Sequence, residues 1–392
     1  MPAEIRPFKV EVPDATIQRL KDKLALTTWP DEVGFSDDWN FGAPLSDVKR
    51  LAEYWRNGFD WRAQEAKINQ LPQFKTTVSV DGFDDLDMHF VYQKSSRKDA
   101  IPLLFVHGWP GHFLEVAKIL PLLTEPKDGP AFHVVAPSLP NFGFSGLVSK
   151  KGFSIPQYAE AVHKVMLNLG YEKYATQGGD WGFFITRMVG ILYPDNCIAS
   201  HINFFFTTDI SAQDANRPLA GFEKDGIERS KWFKKEGSGY SAEQGTKPST
   251  LGFSLSDSPV GLLAWIYEKL RDWTDNYPWT DDEILAWISI YQFSSAGPAA
   301  SVRIYYENSH TELEKNKQIA EHVPKVPLGL SQFPRDLALQ PMYLVQNLGP
   351  IVFEKVHSEG GHFAAYERPE LLVEDVREMF ASDALSHLKA RI

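Results

Sequence analysis

The fold is decided by one short stretch, Gly178-Gly179-Asp180-Trp181-Gly182. It follows a strand-like run at residues 173–177 and precedes a helix-like run at residues 183–192. A tight turn from strand to helix needs small residues around its central position, and it lifts the central side chain above the sheet. The stretch therefore predicts an exposed carboxylate at Asp180. A helix N-cap on a glycine-rich turn is the alternative interpretation.

An aspartate at this position restricts the reaction. A carboxylate is ionised at neutral pH, needs no base to activate it and can attack a saturated carbon to form an alkyl ester. Such a nucleophile is poorly suited to simple ester or amide hydrolysis. Substrates with a leaving group on sp3 carbon, such as epoxides or alkyl halides, are favoured instead.

Strand-like and helix-like runs alternate on both sides of this turn, which is typical of a mostly parallel α/β sheet. The strand-like runs are residues 76–80, 88–93, 101–106, 132–136, 173–177, 199–204, 326–330 and 351–357. The helix-like runs are residues 114–122, 158–169, 183–192, 259–272, 281–291 and 370–381. Two further apolar helix faces precede them, one around Leu20 and one around Leu51.

A long helical stretch interrupts this alternation. We therefore predict an α/β-hydrolase fold in four parts: an N-terminal arm at residues 1–95 that packs on the core and lid, a first core part at 96–206, a helical lid at 207–324 and a second core part at 325–392. The lid would cover the sheet edge that carries Asp180.

A second loop belongs beside the nucleophile. His107-Gly108-Trp109-Pro110-Gly111 follows the run at residues 101–106 directly. In this position the backbone N–H groups of Trp109 and Trp181 could both point at one carboxylate oxygen of Asp180 and form an oxyanion hole. Alone, the loop would be read as an ordinary turn rich in glycine and proline.

The base and its partner are expected after the later strands. His362 follows the run at residues 351–357, and Asp336 follows the run at residues 326–330. The chain order nucleophile, acid, base is the one that this fold uses. His107 and His357 are alternative bases by residue type, and a solvated loop carboxylate beside Arg335 is the alternative interpretation of Asp336.

Composition excludes several classes of function. The 392 residues carry a formal net charge of −11 and no long basic run, which argues against a nucleic-acid partner. Cys197 is the one cysteine, no secretory signal pattern is present and no apolar stretch approaches the ~20 residues of a membrane span. We expect a soluble cytoplasmic protein that needs no cofactor or metal. A homodimer stays open.

Taken together, these segments resemble the microsomal-type epoxide hydrolases, especially the soluble fungal and bacterial members. The resemblance extends from residues 5–8 to residues 359–365, and it is most specific in two lid segments, residues 239–250 and 301–307. It implies a small apolar epoxide and water as reactants. It also implies that Asp336 and His362 form the charge-relay pair.

In that family each of the two lid segments contributes a tyrosine that donates a hydrogen bond to the epoxide oxygen. The resemblance carries this role to Tyr240 and Tyr305. The second segment usually reads Arg-Phe-Tyr-Lys-Glu, so Ile304 and Tyr306 here leave the choice between Tyr305 and Tyr306 open. Packing aromatics with satisfied hydroxyls are the alternative interpretation of these residues.

Two other functions fit parts of the pattern. A haloalkane dehalogenase also uses an aspartate nucleophile, and Trp109 and Trp181 would then bind the halide. A non-catalytic receptor of the same fold would bind an apolar ligand under the lid, although here every catalytic position is filled. Whether an epoxide substrate would be a xenobiotic or a biosynthetic intermediate is not decided by the sequence.

Overall fold

A nine-stranded sheet forms the centre of the molecule, which is described by a computed structural model for residues 3–207 and 217–388. The strands are β1 (Arg6–Phe8), β2 (Gln73–Val78), β3 (Leu86–Gln93), β4 (Ile101–Val106), β5 (Phe132–Pro137), β6 (Tyr174–Gly178), β7 (Cys197–Ile202), β8 (Leu328–Gln332) and β9 (Ile351–Val356). Their spatial order is β1-β2-β3-β5-β4-β6-β7-β8-β9. The strands from β5 to β9 in this order pair in parallel, whereas β1, β2 and β3 pair antiparallel.

Helices cover both ends of the chain and the long connection between β7 and β8. They are α1 (Asp14–Ala25), α2 (Leu45–Asn57), α3 (Trp61–Ile68), α4 (Ile119–Thr124), α5 (Ile155–Asn168), α6 (Trp181–Leu192), α7 (Gly221–Trp232), α8 (Gly239–Thr246), α9 (Pro248–Asp257), α10 (Pro259–Asp272), α11 (Asp281–Gln292), α12 (Arg303–His310), α13 (Leu313–Lys317), α14 (Met342–Val345), α15 (Ala364–Glu367) and α16 (Pro369–Ala381). Short 3-10 helices cover Phe113–Val116, Ala300–Val302, Gln318–Ala320, Gln346–Leu348 and Asp383–Leu388, and a π-helical turn covers Phe233–Gly237. In the described ranges no helix has the length and apolar character that a bilayer span requires.

The predicted α/β pattern is confirmed, because each of the eight predicted strands is present with bounds displaced by a few residues at most. The central strands β4, β6 and β7 are buried along their whole length, as expected when helices cover both faces of a parallel sheet. Sequence reasoning missed β1 and α3. β1 is only three residues long and lies at the sheet edge, so it has too few residues to show an alternating pattern.

The single helix predicted at residues 114–122 is wrong. The chain instead forms a 3-10 helix at Phe113–Val116 and then starts α4 at Ile119. Pro121 has no N–H to donate to the carbonyl four residues before it, so it is tolerated only in the first turn of a helix. The helix therefore starts again at Ile119, so that Pro121 lies in its first turn.

The helices before β2 brace those between β7 and β8. Lys23 on α1 donates to the carboxylate of Asp257 at 3.1 Å, and Arg50 on α2 pairs with Asp281 at the start of α11. The ring of Trp61 packs edge-on against Phe293, with centroids 4.8 Å apart. These contacts tie the arm to the segment predicted as the lid, of which residues 208–216 lie outside the described part.

Hydrogen bonds connect the segment predicted as the lid to the loops that follow β4 and β9. Trp287 Nε1 donates to the carbonyl of Pro110 at 2.7 Å, and the Tyr291 hydroxyl donates to the carbonyl of Gly111 at 2.5 Å. The N–H of His362 donates to the carbonyl of Trp273 at 2.8 Å. The segment predicted as the lid is therefore attached directly to loops at the carboxyl edge of the sheet.

Candidate active site

Asp180 lies on the turn between β6 and α6 in a backbone conformation that non-glycine residues rarely adopt, with φ 51° and ψ −128°. The turn is possible because both flanking glycines face backbone. A methyl group at Gly178 would lie 2.6 Å from the carbonyl carbon of Gly182, and one at Gly182 would lie 2.0 Å from the Val106 oxygen. The carboxylate is thereby held above the sheet edge with its side chain 16% exposed.

The loop after β4 approaches one oxygen of this carboxylate. A methyl group at Gly108 would lie 1.9 Å from Asp180 Oδ1, so only glycine fits there. The Trp109 N–H donates to the same oxygen at 2.7 Å. Within residues 3–207 and 217–388 the Trp181 N–H makes no corresponding bond to Asp180. As the first residue of α6, Trp181 has an N–H that no intrahelical carbonyl can satisfy.

His362 bridges the two acidic residues of the site. Its Nε2 lies 3.2 Å from Asp180 Oδ2, and its Nδ1 lies 2.6 Å from Asp336 Oδ1. Asp336 is 1% exposed, so it is not a solvated loop carboxylate; Arg335 lies instead near Asp275, at 3.7 Å. Burial by itself would lower the pKa of His362, but the charges of Asp336 and Asp180 outweigh it and raise the pKa to about 10.

The two other histidines that sequence reasoning left open are engaged elsewhere. His107 accepts the Leu139 N–H through Nε2 at 3.1 Å, and burial lowers its pKa to about 4. His357 Nε2 pairs with Asp375 at 2.6 Å, in the packing between β9 and α16. Among the three candidate bases, only His362 lies within hydrogen-bond reach of Asp180 in the described residues.

Tyr240 on α8 and Tyr305 on α12 close the site from the lid side. Both side chains are buried, and their ring centroids are 5.8 Å apart. Tyr240 stacks on Trp109 at 5.2 Å, and Tyr305 packs edge-on against Trp181 at 4.7 Å. Burial is the main cause that raises the pKa of each phenol. In Tyr240 the nearby charge of Asp180 adds to this effect, and in Tyr305 the neighbouring Tyr240 and Asp180 do so. Both hydroxyls therefore stay protonated at neutral pH.

Tyr306 points to a different place. It is half-buried, its ring stacks on His310 with centroids 4.1 Å apart, and Lys151 lies 5.9 Å from its centroid. It borders a groove on the lid surface together with the exposed Phe253. Of the two tyrosines between which the sequence did not choose, Tyr305 is the one that the structure brings to Asp180.

Two glutamates near the site were missed by sequence reasoning. Glu115, in the 3-10 helix after the Trp109 loop, borders the same small cavity as Asp180. Glu367 accepts the N–H groups of Gly361 at 2.9 Å and of Asp275 at 2.9 Å, which joins the His362 loop to the lid segment. The available signal was position alone: each lies within a few residues of a catalytic loop.

The sheet is mostly parallel, and a turn between one of its strands and the next helix carries the acid Asp180. His362, on the loop after the last strand, lies beside this acid. This arrangement places the chain among the α/β hydrolases. Residues 101–222 match the family described as the alpha/beta hydrolase fold, and residues 5–116 match the one described as epoxide hydrolase N terminus.

Three similar proteins show which family of α/β hydrolases the chain belongs to. The chain is 38% identical to a putative epoxide hydrolase of Stigmatella aurantiaca, over 96% of this chain and 84% of the relative. It is 38% identical to epoxide hydrolase 1 of Sus scrofa, over 95% of this chain and 88% of that one. The solved epoxide hydrolase of Aspergillus niger superposes with a TM-score of 0.84 at 36% identity and covers 96% of both chains. The chain therefore belongs to the epoxide hydrolase family, which confirms the resemblance drawn from its motifs.

Proposed function

We propose that this enzyme converts epoxides to vicinal diols in two covalent steps, with Asp180 as the nucleophile. The observation that carries the proposal is the asymmetric setting of its carboxylate. Oδ1 accepts the Trp109 N–H at 2.7 Å, while Oδ2 faces His362 at 3.2 Å beneath two buried phenols. One oxygen is thus held by the backbone, and the charge of the carboxylate acts on both phenols.

In the first step an Asp180 oxygen attacks one ring carbon, the carbon–oxygen bond of the epoxide breaks and an alkyl ester forms. The ring oxygen gains negative charge as the bond opens. Tyr240 and Tyr305 donate hydrogen bonds to it, and one phenol supplies the proton. Their raised pKa values support this role, since both groups carry their protons before the reaction starts.

In the second step water attacks the carboxyl carbon of the Asp180 ester. His362 takes one proton from that water, and Asp336 holds the imidazole in the required orientation through Nδ1. The Trp109 and Trp181 N–H groups stabilise the oxyanion of the tetrahedral intermediate. Its collapse expels the alkyl oxygen, which takes the proton from His362 and leaves as the diol. The acid proton left on Asp180 then passes to His362, which restores the carboxylate.

The electrostatics of His362 explain how one site supports both steps. In the free enzyme the charges of Asp336 and Asp180 hold the pKa of His362 near 10, so the imidazole is a cation. Ester formation removes the charge of Asp180, and loss of a nearby anion favours the neutral imidazole. The imidazolium proton then replaces the one that the tyrosine gave to the ring oxygen, so the base is generated when the intermediate that needs it has formed.

Isotope transfer tests this proposal directly. With enzyme in excess over a styrene-type epoxide in water enriched in heavy oxygen, the first diol should contain unlabelled oxygen from Asp180, and the label should enter the enzyme. Label in the first diol would contradict the covalent route. A haloalkane of matched size serves as the control substrate, and halide release from it faster than diol formation would point to a dehalogenase.

A further inference from the structure

A small cavity borders Asp180 but not the two tyrosines. The volume in which the centre of a water molecule can lie is about 10 Å³, and one bound water needs about this much. Its walls include Gly108, Gly111, Glu115, Gln177, Asp180 and His362. Tyr240 and Tyr305 are absent from its described walls, so the cavity is distinct from the side on which an epoxide would meet the phenols.

Glu115 reaches this cavity because the Trp109 loop leaves room for it. A methyl group at Gly111 would lie 1.7 Å from Glu115 Oε1, just as one at Gly108 would lie 1.9 Å from Asp180 Oδ1. The two glycines of one loop therefore accommodate two different carboxyl groups. Part of the Glu115 surface stays accessible, consistent with its place in the cavity wall.

The surroundings of Glu115 favour its protonated form. Burial raises its pKa to about 8; the charge of His362 works against this rise, and that of Asp180 adds to it. The His112 N–H donates to the carboxyl, and the buried phenol of Tyr291 is the other titratable neighbour. Protonated or ionised, the group retains an oxygen that can accept a hydrogen bond.

Gln177 gives independent evidence that the cavity is built for a polar occupant. Its side chain is 2% exposed, and Nε2 donates to Asn203 Oδ1 at 2.7 Å. Its Oε1 is buried and accepts no hydrogen bond from any described residue. Because buried polar atoms nearly always have a partner, a donor such as water belongs beside this oxygen.

We propose that this cavity binds the hydrolytic water and that Glu115 is a further catalytic residue, which accepts one hydrogen of that water while His362 accepts the other. The inference rests on the proposed function, since it concerns the hydrolysis of the Asp180 ester. Water held here reaches the ester carbon while the alkyl group still occupies the tyrosine side.

The proton balance follows from these positions. The water oxygen bonds to the carboxyl carbon of Asp180 as one of its protons passes to His362 Nε2. The second hydrogen stays on the new oxygen, directed at Glu115, and passes to His362 when the carboxylate is restored. The alkyl–oxygen leaving group takes the proton from His362, so Glu115 orients the water without changing its own protonation state.

The test compares Glu115→Leu, which removes the acceptor at similar size, with Glu115→Gln, which keeps an acceptor oxygen. Quenched-flow mixing with an aryl epoxide, followed by intact-protein mass spectrometry, measures ester formation and ester hydrolysis separately. We expect Glu115→Leu to form the ester within about 2-fold of the wild-type rate and to hydrolyse it at least about 10-fold more slowly. Glu115→Gln should lose much less.

Each outcome has a distinct meaning. Wild-type hydrolysis in Glu115→Leu, or equal slowing of both steps, would overturn the inference, because a packing role has no reason to affect the second step alone. Unfolding midpoints of the variants check that they are folded. The variant His362→Gln shows whether a failure concerns Glu115 alone or the proposed function. An ester that accumulates in His362→Gln but not in Glu115→Leu refutes only the role of Glu115. If neither variant forms an ester, the proposed function is refuted as well.

Discussion

The two sides of the active site differ in charge and in how their residues are held. On the sheet side, Asp180, Asp336 and His362 are ionisable groups on loops. Glycines leave the room that these loops need, and backbone N–H groups donate to both carboxylates. On the lid side, Tyr240 and Tyr305 are neutral phenols on helices, held by packing among aromatic rings. In the proposed mechanism the sheet side makes and breaks the ester, and the lid side supports the departing oxygen.

The largest effect is expected on the sheet side. Asp180→Ala should reduce diol formation by about 10⁴-fold or more, because no second carboxylate takes its place on the turn. Chiral chromatography of the diol product measures the loss, and circular dichroism checks that the variant is folded. Turnover within an order of magnitude of wild type in a folded variant would mean that water opens the epoxide without an ester.

Removing both phenols should have the next largest effect. Tyr240→Phe and Tyr305→Phe should each slow ester formation by about 10-fold, and the double variant by about 10³-fold, since one phenol partly substitutes for the other. Tyr306→Phe is the matched control and should leave the rate unchanged. Rapid-mixing measurements of the first turnover decide the point; a silent Tyr305→Phe beside a damaging Tyr306→Phe would reverse the assignment.

The sequence also points to these two sides in different ways. Asp180, Trp109 and His362 follow from strand order and from turns that only certain residues allow. Tyr240 and Tyr305 came only from a resemblance, because an aromatic residue on a helix has no local pattern that separates a donor from a packing residue. Glu115 and Glu367 were missed among 51 acidic residues, because burial beside a catalytic loop is a property of the folded chain.

The coupling between Asp180 and His362 predicts a change in titration. The pKa of His362 is about 10 in the wild type, so NMR should show a protonated ring at pH 8. Asp180→Ala removes one of the two anions and should lower that pKa. The raised pKa also stabilises the fold below the unfolded value of about 6.5, and this contribution is lost as pH rises through about 10. A pKa unchanged in Asp180→Ala would show that the two groups are not coupled.

The smallest effect is expected at Glu367, which connects the loop of His362 on the sheet side to the lid segment. Glu367 accepts two backbone N–H groups, and Glu367→Gln would place an amide N–H₂ against one of them. The free energy of unfolding should fall by about 1–3 kcal/mol, with a smaller loss of activity. Denaturant titration measures it, with the exposed Glu354→Gln as the control. Equal stability of the two variants would remove Glu367 as a link between the His362 loop and the lid segment.

The account rests most directly on the separation of ester formation from ester hydrolysis. His362→Gln keeps Asp180 and both tyrosines but lacks the base for the second step. Mixed with a reactive epoxide, it should consume about one equivalent and stop, leaving a protein heavier by one substrate on the peptide that contains Asp180. An unmodified protein with untouched epoxide would contradict the account, because His362 would then be required for ring opening itself.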